Sequence, residues 1–172
     1  VTLEDRDIEN DLSFIFDVLV TFNFNILFTY ANADSGGRII NQNIEKFCKN
    51  NLKKYKVVKS LGQVKYLSAM KYVDLLIGNS SSGIIEAASF KKPVINIGDR
   101  QKGRLKGKNV IDCNLERLKE SITLAFSDDF RKKINNINNI YGVGGTADII
   151  IDKLINEPLS VIKKFRDQTQ EL

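Results

Sequence analysis

Apolar residues along this chain recur at two spacings that alternate. Across positions 3–22, LEDRDIENDLSFIFDVLVTF, the residues Ile8, Leu12, Ile15, Leu19 and Phe22 fall three or four apart, which gathers them on one face of a helix. A short β-rich run follows, NILFTY (25–30), and then ANADSGG (31–37), whose Asn, Asp, Ser and Gly supply turn chemistry. RIINQNIEKFCKNN (38–51) returns to helical spacing, with Ile40, Ile44 and Phe47 inward. The alternation continues as strand YKVVKS (55–60), helix QVKYLSAMKYV (63–73), strand DLLIGN (74–79), helix GIIEAASFK (83–91) and strands PVINIG (93–98) and NVIDC (109–113). Five strands with intervening helices predict βαβ units around a parallel sheet, an α/β architecture. Beyond Asn114, a plausible N-cap, the pattern is helical over 114–126, 128–140 and 146–157, and Pro158 suits the first turn of a last short polar helix.

Length and composition narrow the classes. A chain of 172 residues fits one domain, and the opening VTLEDRD, starting on valine, reads as the middle of a longer protein. No apolar run approaches the roughly 20 residues of a membrane span and no signal-peptide pattern opens the chain, so a soluble, cytoplasmic protein is expected. Cys48 and Cys113 lack metal-ligand spacing and read as packing residues. Histidine is absent, which removes the commonest general base near neutral pH and argues against zinc. The net charge of +5 suits an anionic ligand. Aromatics do not interleave with arginine as a base-stacking platform would, which argues against nucleic acid.

Chemistry concentrates in LLIGNSSSGIIEAASFKKPVINIGDRQKGR, Leu75 to Arg104. In an open parallel sheet, ligands bind at the carboxyl ends of strands, where loops enter helix N-termini. The serines stand at such a place, and a helix beginning near Gly83 would offer unpaired amides and a positive dipole end to a phosphate at Ser80 and Ser81. The alternative is that Ser80, Ser81 and Ser82 only cap the helix. Glu86, among apolar and small residues one turn on, suits a vicinal diol such as ribose; the alternative is a first-turn carboxylate favourable to the dipole. The loop GDRQKGRLKGK carries Arg100, Lys102, Arg104, Lys106 and Lys108 between glycines, which predicts either a mobile basic loop closing over a diphosphate or a solvated surface loop. YGVGGTA contains G-x-G-x-x-A at Gly142, but it follows a helix rather than a strand; Gly145 and Thr146 read as a helix boundary and cap.

The motif GNSSSGIIEAASFKKPVINIGDRQKGR, together with YANADSGGRII and LGQVKYLSAM, resembles the C-terminal half of the hydrolysing UDP-N-acetylglucosamine 2-epimerases over Val1 to about Glu157. The resemblance implies one Rossmann-like lobe of a two-lobed GT-B fold spanning 1–157, with 158–172 as a C-terminal helix or tail. It implies that Ser80 and Ser81 hold the diphosphate, Glu86 the ribose, Leu61 the uracil through its backbone, and Asn32 and Arg100 the sugar-phosphate end. It further implies an N-terminal lobe supplying the acid-base carboxylates and a histidine just before Val1, a homo-oligomer at full length, and no metal or cofactor. The implied reaction eliminates UDP from the sugar to leave a 2-acetamidoglucal, then adds water to release N-acetylmannosamine, toward sialic or another nonulosonic acid. The isolated lobe would not catalyse it. Alternatives are a UDP-N,N'-diacetylbacillosamine 2-epimerase, the donor lobe of a GT-B glycosyltransferase, and a non-catalytic nucleotide-binding module.

Overall fold

The computed structural model describes residues 7–32, 36–142 and 144–157. Its elements run α1 (Ile8–Val20), β1 (Ile26–Thr29), α2 (Gly37–Lys49), β2 (Tyr55–Val58), α3 (Gly62–Tyr72), β3 (Leu76–Gly78), α4 (Ser81–Ile85), a 3-10 turn (Ala87–Phe90), β4 (Val94–Ile97), β5 (Val110–Cys113), a second 3-10 turn (Leu115–Arg117), α5 (Leu118–Phe126), α6 (Asp128–Asn135) and α7 (Thr146–Asn156). The chain divides into two compact units between Gly142 and Val143. The second unit contains α7, which follows Gly145 in the left-handed conformation and buries none of its described residues.

All strand pairs in the first unit are parallel, as expected of βαβ units, and helices flank them. They form two hydrogen-bonded groups, β1–β2 and β3–β4–β5, rather than one continuous sheet. Side chains unite what backbone bonds do not. Ile26 and Phe28 of β1 pack into the same core as Ile77, Ile95 and Ile111, closed by Leu19 of α1 and by Leu118, Ile122 and Ala125 of α5. Ile26 and Phe28 also face a second cluster, where Ile40, Ile44 and Phe47 of α2 meet Tyr55. There Phe47 stacks between Phe16, at 4.2 Å, and Tyr55, at 4.7 Å between ring centroids. A third cluster, Met70, Ala87 and Val94, seats α3 and the segment after α4 against β4.

Local chemistry moves several expected boundaries. α1 starts at Ile8 because the Asp7 carboxylate accepts from the amides of Glu9 and Asn10. Asn114 caps as expected, accepting from Arg117, but the first turn it opens is 3-10. The helix expected over 83–91 starts at Ser81, ends at Ile85 and tightens into the 3-10 turn, which stops at Lys91 in the left-handed region. The helix expected over 128–140 stops at Asn135. Farther along, Asn139 Nδ2 bonds to the Ile85 carbonyl at 2.8 Å and to Ser89 Oγ at 2.7 Å, two tertiary bonds, and Asn139 Oδ1 accepts from the Tyr141 amide, a local bond that competes with helix. The expected helix after Pro158 lies outside the described residues.

Candidate functional site

The carboxyl end of β3 organises the site. Asn79 and Ser80 leave the sheet, and Ser80 is an extended N-cap whose Oγ accepts from the Ser82 amide at 3.4 Å while its carbonyl accepts from Gly83 at 3.2 Å. Ser80 is exposed and Ser81 half-buried, so packed side chains do not occlude the corner. With the Ser82 and Gly83 amides engaged, no described residue accepts from the Ser81 amide, which remains a backbone donor. Five residues of helix align too few peptides for the half charge expected of a full helix, so local N–H and O–H donors, not a macrodipole, define the chemistry here. Gly83 fits the turn to the sheet: a Cβ there would stand 2.9 Å from Val94 Cγ1.

Glu86 sits at the junction of α4 and the 3-10 turn, its amide bonded to the Ser82 carbonyl at 2.9 Å. It is half-buried, and its carboxylate has no hydrogen-bond or ion-pair partner among the described residues. A half-buried carboxylate with no such partner is suited to accept from sugar hydroxyls.

The basic loop after β4 is fastened to this corner. Arg100 is exposed and places Nη1 3.4 Å from the Asn79 carbonyl, and the buried Gln101 donates Nε2 to the same carbonyl at 2.8 Å. Farther along, Lys106 Nζ meets both Asp112 oxygens at 2.8 Å, and the Tyr141 hydroxyl donates to the Leu105 carbonyl. The stretch expected to be either a mobile basic loop or a solvated surface loop is tied to its surroundings at three places. A cavity of about 400 Å³ opens beside it at the ends of β4 and β5, lined by Asp99, Lys102, Lys106, Asp112, Asn114 and Arg117. Burial alone raises the Asp112 pKa, but hydrogen bonds from Lys106 and Asn96 outweigh it and hold the carboxyl below its ordinary value.

The other two expected residues come from the β1–β2 side. Leu61 is half-buried immediately before α3, whose Tyr66 hydroxyl lies 2.6 Å from Ser82 Oγ and so links that helix to the serine corner. Asn32 is exposed beyond β1 and lines a cavity of about 540 Å³ with Tyr30, Arg38, Asn41 and Glu45. Its carbonyl approaches Gly37 so closely that a Cβ there would lie 2.2 Å away. The Tyr30 hydroxyl donates to Glu45, and that bond pushes the phenol pKa up. The structure therefore brings Ser80, Ser81 and Arg100 together at Asn79, sets Glu86 one turn farther along the same segment, and places Asn32 at a separate mouth. Gln101 and Tyr66 were not singled out from the sequence, and Ser82 only as a possible helix cap. Gln101 lies inside the G-x-R-Q-x-G-R motif, whereas nothing in the spacing of Tyr66 distinguishes it from a core aromatic. Among the described residues, no cluster of three or more Cys, Asp or Glu offers a metal site.

Residues 1–155 match the sequence model of the UDP-N-acetylglucosamine 2-epimerase family. The chain belongs to that family. It is 41% identical over 133 residues to the GDP/UDP-N,N'-diacetylbacillosamine 2-epimerase (hydrolyzing) of Campylobacter jejuni, covering 77% of this chain and 35% of that protein. It is 35% identical to the polysialic acid biosynthesis protein P7 of Escherichia coli over 81% of this chain and 36% of that protein. This family member thus spans about a third of the length of these curated relatives. Its fold is that of one Rossmann-like lobe of the GT-B arrangement. The solved UDP-GlcNAc 2-epimerase of Neisseria meningitidis, bound to UDP-GlcNAc, superposes with a TM-score of 0.65 at 19% identity, over 86% of this chain and 41% of that one. The Methanocaldococcus jannaschii enzyme, in complex with UDP-GlcNAc and UDP, gives 0.64 at 20% identity, over 86% and 40%.

Proposed function

We propose that this chain is the UDP-binding lobe of a hydrolysing UDP-sugar 2-epimerase, 1–157 forming the lobe and 158–172 its tail. The observation that supports the reading is the open corner at the end of β3 in a member of this family, where Ser80 is exposed, the Ser81 amide is a donor, Arg100 reaches the Asn79 carbonyl, and Glu86 follows one turn on with no partner among the described residues. Ser80 and Ser81 hold the diphosphate, Arg100 faces its outer oxygens, Glu86 accepts from the ribose hydroxyls, the backbone at Leu61 meets uracil, and Asn32 approaches the sugar-phosphate end.

In this reading the lobe serves the leaving group. Cleaving the anomeric C–O bond places charge on the departing UDP, and donors already fixed around the diphosphate stabilise that charge more than they stabilise the bound substrate. The proton at C2 is taken by a base from the other lobe, after which water adds to the 2-acetamidoglucal and the 2-epimeric sugar is released. The substrate is UDP-N-acetylglucosamine and the product N-acetylmannosamine, made in the cytoplasm for sialic or related nonulosonic acid synthesis by a homo-oligomer. Among the described residues no helix is long and apolar enough to cross a membrane. A second substrate, UDP-N,N'-diacetylbacillosamine, is favoured by the 41% identity to the Campylobacter jejuni protein.

The test is acceptor-free assay of the full-length protein with each UDP-sugar. Release of UDP together with the free 2-epimer supports the reading and selects the substrate. Transfer that requires an acceptor overturns it in favour of a glycosyltransferase.

A further inference from the structure

Resting on the reading above, in which Ser80 meets the diphosphate, we infer that Tyr66 is a positioning residue that fixes the polarity of the Ser80 hydroxyl through Ser82. Three hydroxyls stand in line. Tyr66 Oη lies 2.6 Å from Ser82 Oγ, and Ser82 Oγ lies 3.1 Å from Ser80 Oγ. The Tyr66 ring is anchored, packed against Met70, Ala87 and Val94, so its hydroxyl is presented from the core side of the turn.

The direction of the chain follows from acidity and from counting lone pairs. A phenol is the better proton donor of the pair and Ser82 the better acceptor, so Tyr66 donates to Ser82. Ser82 is then free to donate its own proton to Ser80. The Ser80 oxygen also accepts from the Ser82 amide at 3.4 Å, so both of its lone pairs are engaged. What Ser80 has left is one O–H, exposed and able only to donate. Such a group suits an oxygen of an anion and rejects a donor or a cation. Hydrogen bonds in sequence also polarise one another, strengthening the last donor.

The experiment titrates UDP and uridine calorimetrically into the wild-type chain and the Tyr66→Phe, Ser82→Ala, Ser80→Ala and Tyr66→Phe/Ser80→Ala variants, with melting curves confirming that each folds. Tyr66→Phe and Ser82→Ala are expected to weaken UDP about three- to tenfold, the range for one neutral hydrogen bond in a cooperative chain. They should leave uridine, which lacks phosphate, unchanged. The double variant should match Ser80→Ala within about twofold, because the Tyr66 hydroxyl acts through Ser80. A purely structural tyrosine would weaken both ligands and multiply the Ser80→Ala loss, which overturns the inference. Weakening by Ser80→Ala with no effect of Tyr66→Phe or Ser82→Ala overturns the relay and leaves the site reading standing. Wild-type chain that binds neither ligand at millimolar concentration overturns the site reading, and the relay with it.

Discussion

Glu86 separates a ligand-binding corner from a well-capped turn. A structural carboxylate in this position would be paired, whereas that of Glu86 is half-buried and has no partner among the described residues. If it accepts from ribose, Glu86→Gln should weaken UDP about tenfold, since hydrogen bonds to a charged acceptor exceed those to a neutral amide. The same substitution should leave a 2′,3′-dideoxy analogue unaffected, and equal losses for both nucleotides would remove the ribose assignment. The types and order of Ser80, Ser81, Glu86 and Arg100 made this corner a candidate in the sequence, because each carries chemistry that a buried position does not require. Gln101 and Tyr66 were not legible in the same way. Their contribution depends on which carbonyl or hydroxyl lies within 3 Å across the fold, and neither Asn79 nor Ser82 is near them in sequence.

The elements show how far apolar spacing carries. Every strand was expected, because a buried run of β-branched residues between turn residues has few other uses in a chain of this length. Helix ends were less legible: α4 spans five residues and α6 ends at Asn135 because tertiary hydrogen bonds, those of Asn139 among them, compete with helix at those points. Division of the strands into two groups was also hidden, since periodicity identifies strands and not their neighbours. Two consequences belong to this level. Gly37→Ala would drive a Cβ against the Asn32 carbonyl, a backbone atom that cannot swing aside, and should destabilise the protein by about 1–3 kcal/mol in denaturant titration. The Lys106–Asp112 pair tethers the basic loop to β5. The folded-state Asp112 pKa lies below its unfolded value, so its contribution is fully present above about pH 4 and is lost as pH falls through the lower folded value. The pair is partly exposed, so Asp112→Asn should lower the melting temperature by only about 2–4 °C at pH 7. That difference should shrink as pH falls below about 4 and vanish once the folded-state carboxyl is protonated.

For the molecule as a whole, the division between Gly142 and Val143 makes a claim about where stability resides. All three buried clusters draw their residues from the first unit, where α1, α2, α3 and α5 cover the strands. α7 presents Ile149, Ile150, Ile151, Leu154 and Ile155, each more than half exposed, and contributes no buried residue. The first unit, which supplies every residue of these clusters, should keep its fold without α7. A chain ending at Gly142 is therefore expected to unfold in one cooperative transition within about 2 °C of the full 172 residues, as surface changes generally do. It should also bind UDP with unchanged affinity, because Ser80, Ser81, Glu86, Arg100 and the residues that hold them lie in the first unit. Loss of the transition, or a UDP affinity that falls when residues 143–172 are deleted, would mean that the second unit completes either the fold or the site.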